Sequence, residues 1–138
     1  IFTNGCFDII HRGHIELLKY CKSLGGKVVV GLNSDESVRK LKSDSRPINN
    51  QEDRKFLLES LRYVDAVFVF YEDTPYNLIK EINPDVIVKG GDYKPEDVVG
   101  KDISEVRIFK YVKGYVGWFT IKRQIIYSIL PSLFFDCF

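Results

Sequence analysis

The chain has 138 residues, about one domain on the usual 100–150-residue scale. Hydrophobic residues at 45% and charged residues at 28% exclude a disordered tail or a collagen-like chain. Twenty Lys and Arg against nineteen Asp and Glu leave +1, so charge gives no support for generic nucleic-acid or membrane-surface binding.

Ile1–Thr3 reads as the tail of a first strand, ending at Asn4-Gly5, where Gly5 permits a tight turn. Apolar residues at Ile15, Leu17, Leu18, Cys21 and Leu24 predict a helix over His14–Leu24, stopped by Gly25-Gly26. Lys27–Leu32 is a nearly continuous apolar run, as in parallel strands buried on both faces. Ser34–Lys42 is polar and basic, and its run Arg39-Lys40-Leu41-Lys42 reads on composition as a solvated loop. Gln51–Arg62 is a second helix and Val64–Phe70 another apolar strand. Thr74 as a capping hydroxyl and Pro75 at the first helical position open a helix that runs to Ile82 and ends at Asn83-Pro84. Asp85–Val88 is a buried strand leading into Lys89-Gly90-Gly91-Asp92. Arg107–Val112 is a last strand, and Thr120–Leu130 a final helix.

Strands and helices therefore alternate, which predicts an α/β fold: a Rossmann-like parallel sheet with helices on both faces. Ligands in such sheets sit at the carboxyl ends of the strands, where strand order reverses. There is no repeat, low-complexity stretch or linker, so residues 1–138 read as one domain. Three cysteines, Cys6, Cys21 and Cys137, are an odd number without CxxC spacing; this argues against a disulfide scaffold or zinc site and for a reducing compartment. The first residues carry no secretory signal, and no window reaches the roughly 18 apolar residues of a membrane span, so the expected location is cytoplasmic. The chain lacks methionine and opens inside a strand; it is expected to be a segment of a longer protein or trimmed at its start.

Chemistry concentrates in Thr3–His14, TNGCFDIIHRGH, which holds both histidines, His11 and His14. Their spacing of three puts both on one face of a turn at a helix start. Backbone N–H groups and the positive dipole end there suit an anion such as phosphate, and Gly13 lets it approach the backbone. The bare pattern also fits two surface histidines or a chance metal pair. The strand before it, with Gly5 and Asp8, favours a ligand site, and no third His or Cys has zinc spacing.

TNGCFDIIHRGH resembles the signature of the HxGH nucleotidyltransferases, in the form of the cytidylyltransferase-like branch. VGLNSD at Val30–Asp35, SVRKLK at Ser37–Lys42, Arg46-Pro47-Ile48, Glu52-Asp53-Arg54, PDVIVKGGDY at Pro84–Tyr93 and Lys113-Gly114-Tyr115 follow in family order. The pattern is most similar to the adenylyltransferase domain of bacterial ADP-heptose synthases and covers residues 1 to about 115. The resemblance implies transfer of AMP from ATP to a sugar 1-phosphate, D-glycero-β-D-manno-heptose 1-phosphate, with magnesium held mainly by the nucleotide phosphates. It gives His11, His14 and Lys42 catalytic roles and Lys40 the acceptor's phosphate. It places the nucleotide against Cys6, Phe7, Asp8, Gly13, Arg54, Gly91 and Asp92, with Cys6 contacting through its backbone. Asp8 also reads as a cap for the first helix, and Arg54 as a surface ion pair with Glu52 or Asp53. A homodimer and a fused or separate sugar-kinase domain are compatible partners; no nucleic acid, membrane or protein-bound metal is expected. A cytidylyltransferase for glycerol 3-phosphate, or a non-catalytic nucleotide-binding domain, is the alternative.

After Tyr115 the pattern departs. The family continues with Ser-Thr-Thr, whose hydroxyls and amides bind phosphates, whereas this chain reads Val116-Gly117-Trp118-Phe119-Thr120. Thr120 stands in after a small insertion, or the motif is lost. Residues 116–138 are divergent, and Ile125–Phe138 is strongly apolar apart from Asp136 and broken by Pro131. A buried helix, a dimer or partner contact and a reading-frame change are the open explanations.

Overall fold

The structure is a computed structural model that describes residues 1–91 and 93–110. Five strands, β1 (Phe2–Gly5), β2 (Val29–Asn33), β3 (Ala66–Phe70), β4 (Val86–Gly90) and β5 (Glu105–Phe109), form one sheet. Every strand pairing is parallel and the order is β3-β2-β1-β4-β5. The chain runs from β1 outward to β3, then returns so that β4 and β5 lie on the other side of β1. Strand order thus reverses between β1 and β4, as the alternation of elements predicts.

Alternating side chains divide the core between the two faces. Val30, Leu32, Val67 and Val88 join Leu17, Leu18 and Cys21 of helix α1 (Arg12–Ser23) and Leu58 of α3 (Gln51–Glu59). Phe2 and Ile87 join Ile79 of α4 (Tyr76–Ile82) on the opposite face. Each fully buried aliphatic side chain contributes about 1.5–3 kcal/mol, so neither face is dispensable. Gly31 is fixed by this packing. A Cβ there would lie 2.7 Å from Cζ of Phe2 and 3.2 Å from Cβ of Asn4, so the Phe2 ring needs the space above it.

Three local expectations change. The basic stretch is not a loop: Asp35–Leu41 forms helix α2, with the Ser34 hydroxyl accepting from the Ser37 amide at 3.2 Å. Asp35 and Glu36 sit in its first turn and Arg39 and Lys40 in its last, matching the dipole. Only Ser37 and Val38 are buried, which is why no apolar period announces it. Thr74 does not cap α4. Pro75 occupies the N-cap position with no side-chain cap bond, and the helix begins at Tyr76; its predicted end holds, with Asn83 left-handed at φ 49°. The strand ends lie within three residues of their predicted bounds, and the end of β3 at Phe70 coincides; β5, predicted at Arg107–Val112, spans Glu105–Phe109. The final helix expected at Thr120–Leu130 lies outside the described residues. None of the described helices is long and apolar enough to cross a membrane.

Candidate active site

His11 and His14 meet at the start of α1, and they build that start themselves. His11 is the N-cap, extended at φ −136° and ψ 174°, and its Nδ1 accepts from the Gly13 amide at 3.1 Å. His14 reaches back, its Nδ1 accepting from the His11 amide at 3.2 Å. This is a reciprocal capping box made of two imidazoles, where Ser or Thr with Glu or Gln is usual. The ring centroids are 3.9 Å apart, and the Phe7 ring lies 5.1 Å from His14. An accepting Nδ1 leaves the ring proton on Nε2, so in each neutral imidazole the donor is Nε2–H. Burial holds the His11 pKa below its ordinary value, which keeps Nδ1 able to accept. His14 is buried and His11 half-buried, with the Nε2 of His11 itself shielded from solvent.

The expected chemistry of Gly5, Gly13 and Asp8 takes another form. Gly5 closes β1 and does not turn; the left-handed residue is Phe7, at φ 45°. A Cβ on Gly5 would come within 3.2 Å of the Phe7 ring, so the glycine admits that ring. The Gly13 amide is spent on His11. Asp8 does not cap α1. One carboxylate oxygen accepts from Arg46 Nη1 at 2.7 Å and the other from the Ile48 and Asn49 amides at 2.9 Å. Asn49 in turn donates to the Asp8 carbonyl at 2.8 Å.

Arg54 forms no surface pair with Glu52 or Asp53. It is fully buried, and its guanidinium donates to the carbonyls of Asn49, Cys6 and Asn33 and to the Asp35 carboxylate, at 2.7–2.9 Å. Together Asp8 and Arg54 tie the loop after β1 to the Arg46–Asn49 segment, the end of β2 and the start of α2. Nothing in the sequence links Arg46 to Asp8, because 38 residues separate them.

The cations divide into two groups. Lys40 lies on the exposed face of α2, 3.0 Å from Glu36, which raises its pKa. Lys42, the C-cap of α2, is partly buried and close enough to act on Cys6. Burial pushes the Cys6 thiol up despite Lys42, Arg54 and Lys89 nearby, which disfavours its thiolate. Lys89, to which no local pattern gives a role, ends the apolar run of β4 with its chain almost entirely buried. Its Nζ donates to the carbonyl and side-chain oxygens of Asn4, at 3.1 and 3.2 Å, and stands 5.0 Å from the Tyr93 ring centroid. A lysine inside VIVK is the one signal the sequence offers for it. Gly91 follows, left-handed at φ 89°, its amide donating to Phe109. Asp92 and Thr120 lie outside the described residues. Among the described residues, no group of three or more His, Cys, Asp and Glu stands together to hold a metal ion.

A family model described as Cytidylyltransferase-like matches residues 2–128. The Bifunctional protein HldE of a Nitratiruptor species is 58% identical over 125 residues, covering 90% of this chain and 27% of that protein. The protein of the same name from Aliarcobacter butzleri is 56% identical over 124 residues, 89% of this chain and 26% of its own length. The chain thus spans about a quarter of the length of these curated relatives. The fold is similar to a crystal structure described as the lipopolysaccharide core biosynthesis protein from Thermoplasma volcanium. The TM-score is 0.67 at 29% identity, over 81% of this chain and 94% of that one.

Proposed function

The chain belongs to the cytidylyltransferase-like family of nucleotidyltransferases, and on that premise we propose that it transfers AMP from ATP to D-glycero-β-D-manno-heptose 1-phosphate, giving ADP-heptose for lipopolysaccharide core synthesis. A phosphate oxygen of the sugar bonds to the α-phosphorus. The bond from that phosphorus to the bridging oxygen breaks, and pyrophosphate leaves with the electron pair. Magnesium would enter with the triphosphate, held mainly by its phosphates, while the Asp8 carboxylate serves Arg46 and two amides.

The observation that carries this reading is the histidine capping box. It locks two rings in the tautomer whose Nε2–H donates, at a helix start beside the reversal of strand order. Donors set in place before the reaction stabilise the negative charge that builds on the phosphoryl oxygens without reorganising. Lys42 adds positive charge from the end of α2, while Arg54 and Asp8 hold the loop that presents the rings. The structural neighbour's description as a lipopolysaccharide core biosynthesis protein supports a role in that synthesis. In this reading residues 1–138 are one nucleotidyltransferase domain acting in the cytoplasm, alone or joined to a sugar-kinase domain. Lys40 and Lys42 would serve the acceptor and donor phosphates, and Gly91, Asp92 and Thr120 the nucleotide.

Pyrophosphate release, followed with magnesium, each nucleoside triphosphate and a panel of sugar and polyol phosphates, tests the proposal. ATP with the heptose 1-phosphate is expected to give the fastest release. CTP with glycerol 3-phosphate in that place would reassign the substrates, and nucleotide binding without release would make this a binding domain.

A further inference from the structure

Among the described residues Lys89 is the one buried cation without an ion pair, since Arg46 and Arg54 each have a carboxylate. It projects from the last residues of β4, on the face that carries Asn4 of β1, so it bridges the two strands between which strand order reverses. Its side chain is desolvated, yet its acceptors are two neutral oxygens of one asparagine and the face of Tyr93. Among the described residues no carboxylate lies within ion-pair distance of its ammonium. Buried charges are ordinarily paired, because the cost of desolvating an ammonium is recovered only from an opposite charge. The neighbouring arginines obey that rule, Arg46 with Asp8 and Arg54 with Asp35. A lysine held for strand pairing alone would be replaceable by an apolar residue, as in the rest of Val86–Val88. Lys89 and Lys42 both stand close enough to Cys6, on the loop after β1, to oppose the rise of its pKa, so they act on one loop from different elements.

We propose that Lys89 is a substrate-phosphate-binding residue: its ammonium, held at the ends of β1 and β4 by Asn4, pairs with an oxyanion of a bound phosphate, the missing counter-charge being supplied by substrate. The inference rests on the nucleotidyltransferase reading for the identity of the phosphate, which belongs either to the donor triphosphate or to the acceptor monoester. Burial lowers the Lys89 pKa to about 8, so binding an anion near that pH draws a proton onto the amine.

Calorimetry on the full chain and on Lys89→Met tests this, with inorganic tripolyphosphate as the donor probe and a hexose 1-phosphate as the acceptor probe. Loss of a charged hydrogen bond predicts about ten- to a hundredfold weaker binding of one probe. Which probe weakens identifies the phosphate that Lys89 meets. Repeating the titration near pH 8 in buffers of different ionisation enthalpy is expected to show proton uptake in the wild type that Lys89→Met lacks. A purely structural lysine would not produce that difference. Lys89→Gln, which keeps a donor for Asn4 but no charge, is expected to behave like Lys89→Met and serves if that variant does not fold. Unchanged affinity for both probes in the uncharged variants, or a wild type that binds neither, overturns the assignment. Probe binding that depends on Lys89 in a chain that releases no pyrophosphate would leave Lys89 standing and remove the enzymatic reading. Release with unaltered affinity in the variants would do the reverse.

Discussion

The loop after β1 and the end of β4 border the same strand reversal, and they treat charge in opposite ways. On the β1 side every buried ion has a protein partner. Asp8 holds Arg46 and two amides, and Arg54 spends its guanidinium on three carbonyls and Asp35. On the β4 side Lys89 is also buried and, among the described residues, finds only the neutral oxygens of Asn4 and a tyrosine ring. The first arrangement is closed: it fixes backbone, and a ligand has little left to bind in it. The second is open, and its electrostatics are completed only by something negative from outside. A satisfied buried network therefore marks scaffold, while a buried charge lacking its opposite marks where the scaffold meets substrate.

Breaking the closed side should have the largest effect. Arg54→Met leaves Asp35 and three carbonyls without their donor, and the expected loss is about 3–5 kcal/mol, read by denaturant unfolding. A loss below about 1 kcal/mol would show that the network is not the scaffold. The histidines test the boundary itself. His11→Asn keeps an N-cap acceptor and His14→Gln keeps the backward half of the capping box, so each removes a ring and spares the helix start. Each is expected to lower turnover about 100–1000-fold with little change in melting temperature. Turnover near wild type in both would take the rings out of the chemistry.

The open side predicts a gain. A fall in the Lys89 pKa from 10.5 to about 8 corresponds to about 3 kcal/mol against folding at roughly 1.4 kcal/mol per pH unit. The unfolded chain keeps its proton to higher pH than the folded one, so stability rises as pH climbs between these values. Lys89→Met is therefore expected to stabilise the chain by up to about 3 kcal/mol at pH 7, and the gain should fade between about pH 8 and 10.5. Melting curves at pH 7 and pH 10 measure it; a destabilised variant at both would mean that the Asn4 bonds outweigh the buried charge. The smallest effect is the pH response of His11. Its folded pKa lies below the ordinary 6.5, so the unfolded chain takes up the proton first and stability declines as pH falls below about 6.5. His11→Asn should lack that component, and identical pH–stability curves for the two proteins would show that the cap does not depend on a neutral ring.

The histidine pair and the alternation of strands and helices were legible because each depends on local spacing. Helix α2 was not, since one buried valine and one buried serine give no period. Arg54 reads in sequence as a helix-surface residue beside Glu52 and Asp53, and nothing local says that it points inward to the carbonyls of Cys6 and Asn33. Lys89 was legible only as an irregularity, a cation closing an apolar strand.

Sequence alone determined the parallel sheet and the helix start with its two imidazoles, because hydrophobic period and neighbouring capping groups act over a few residues. Tertiary structure decided which charges are consumed and which are left for a ligand. That division depends on burial and on partners 19 to 85 residues apart, such as Asp35 for Arg54 and Asn4 for Lys89, which no local pattern encodes.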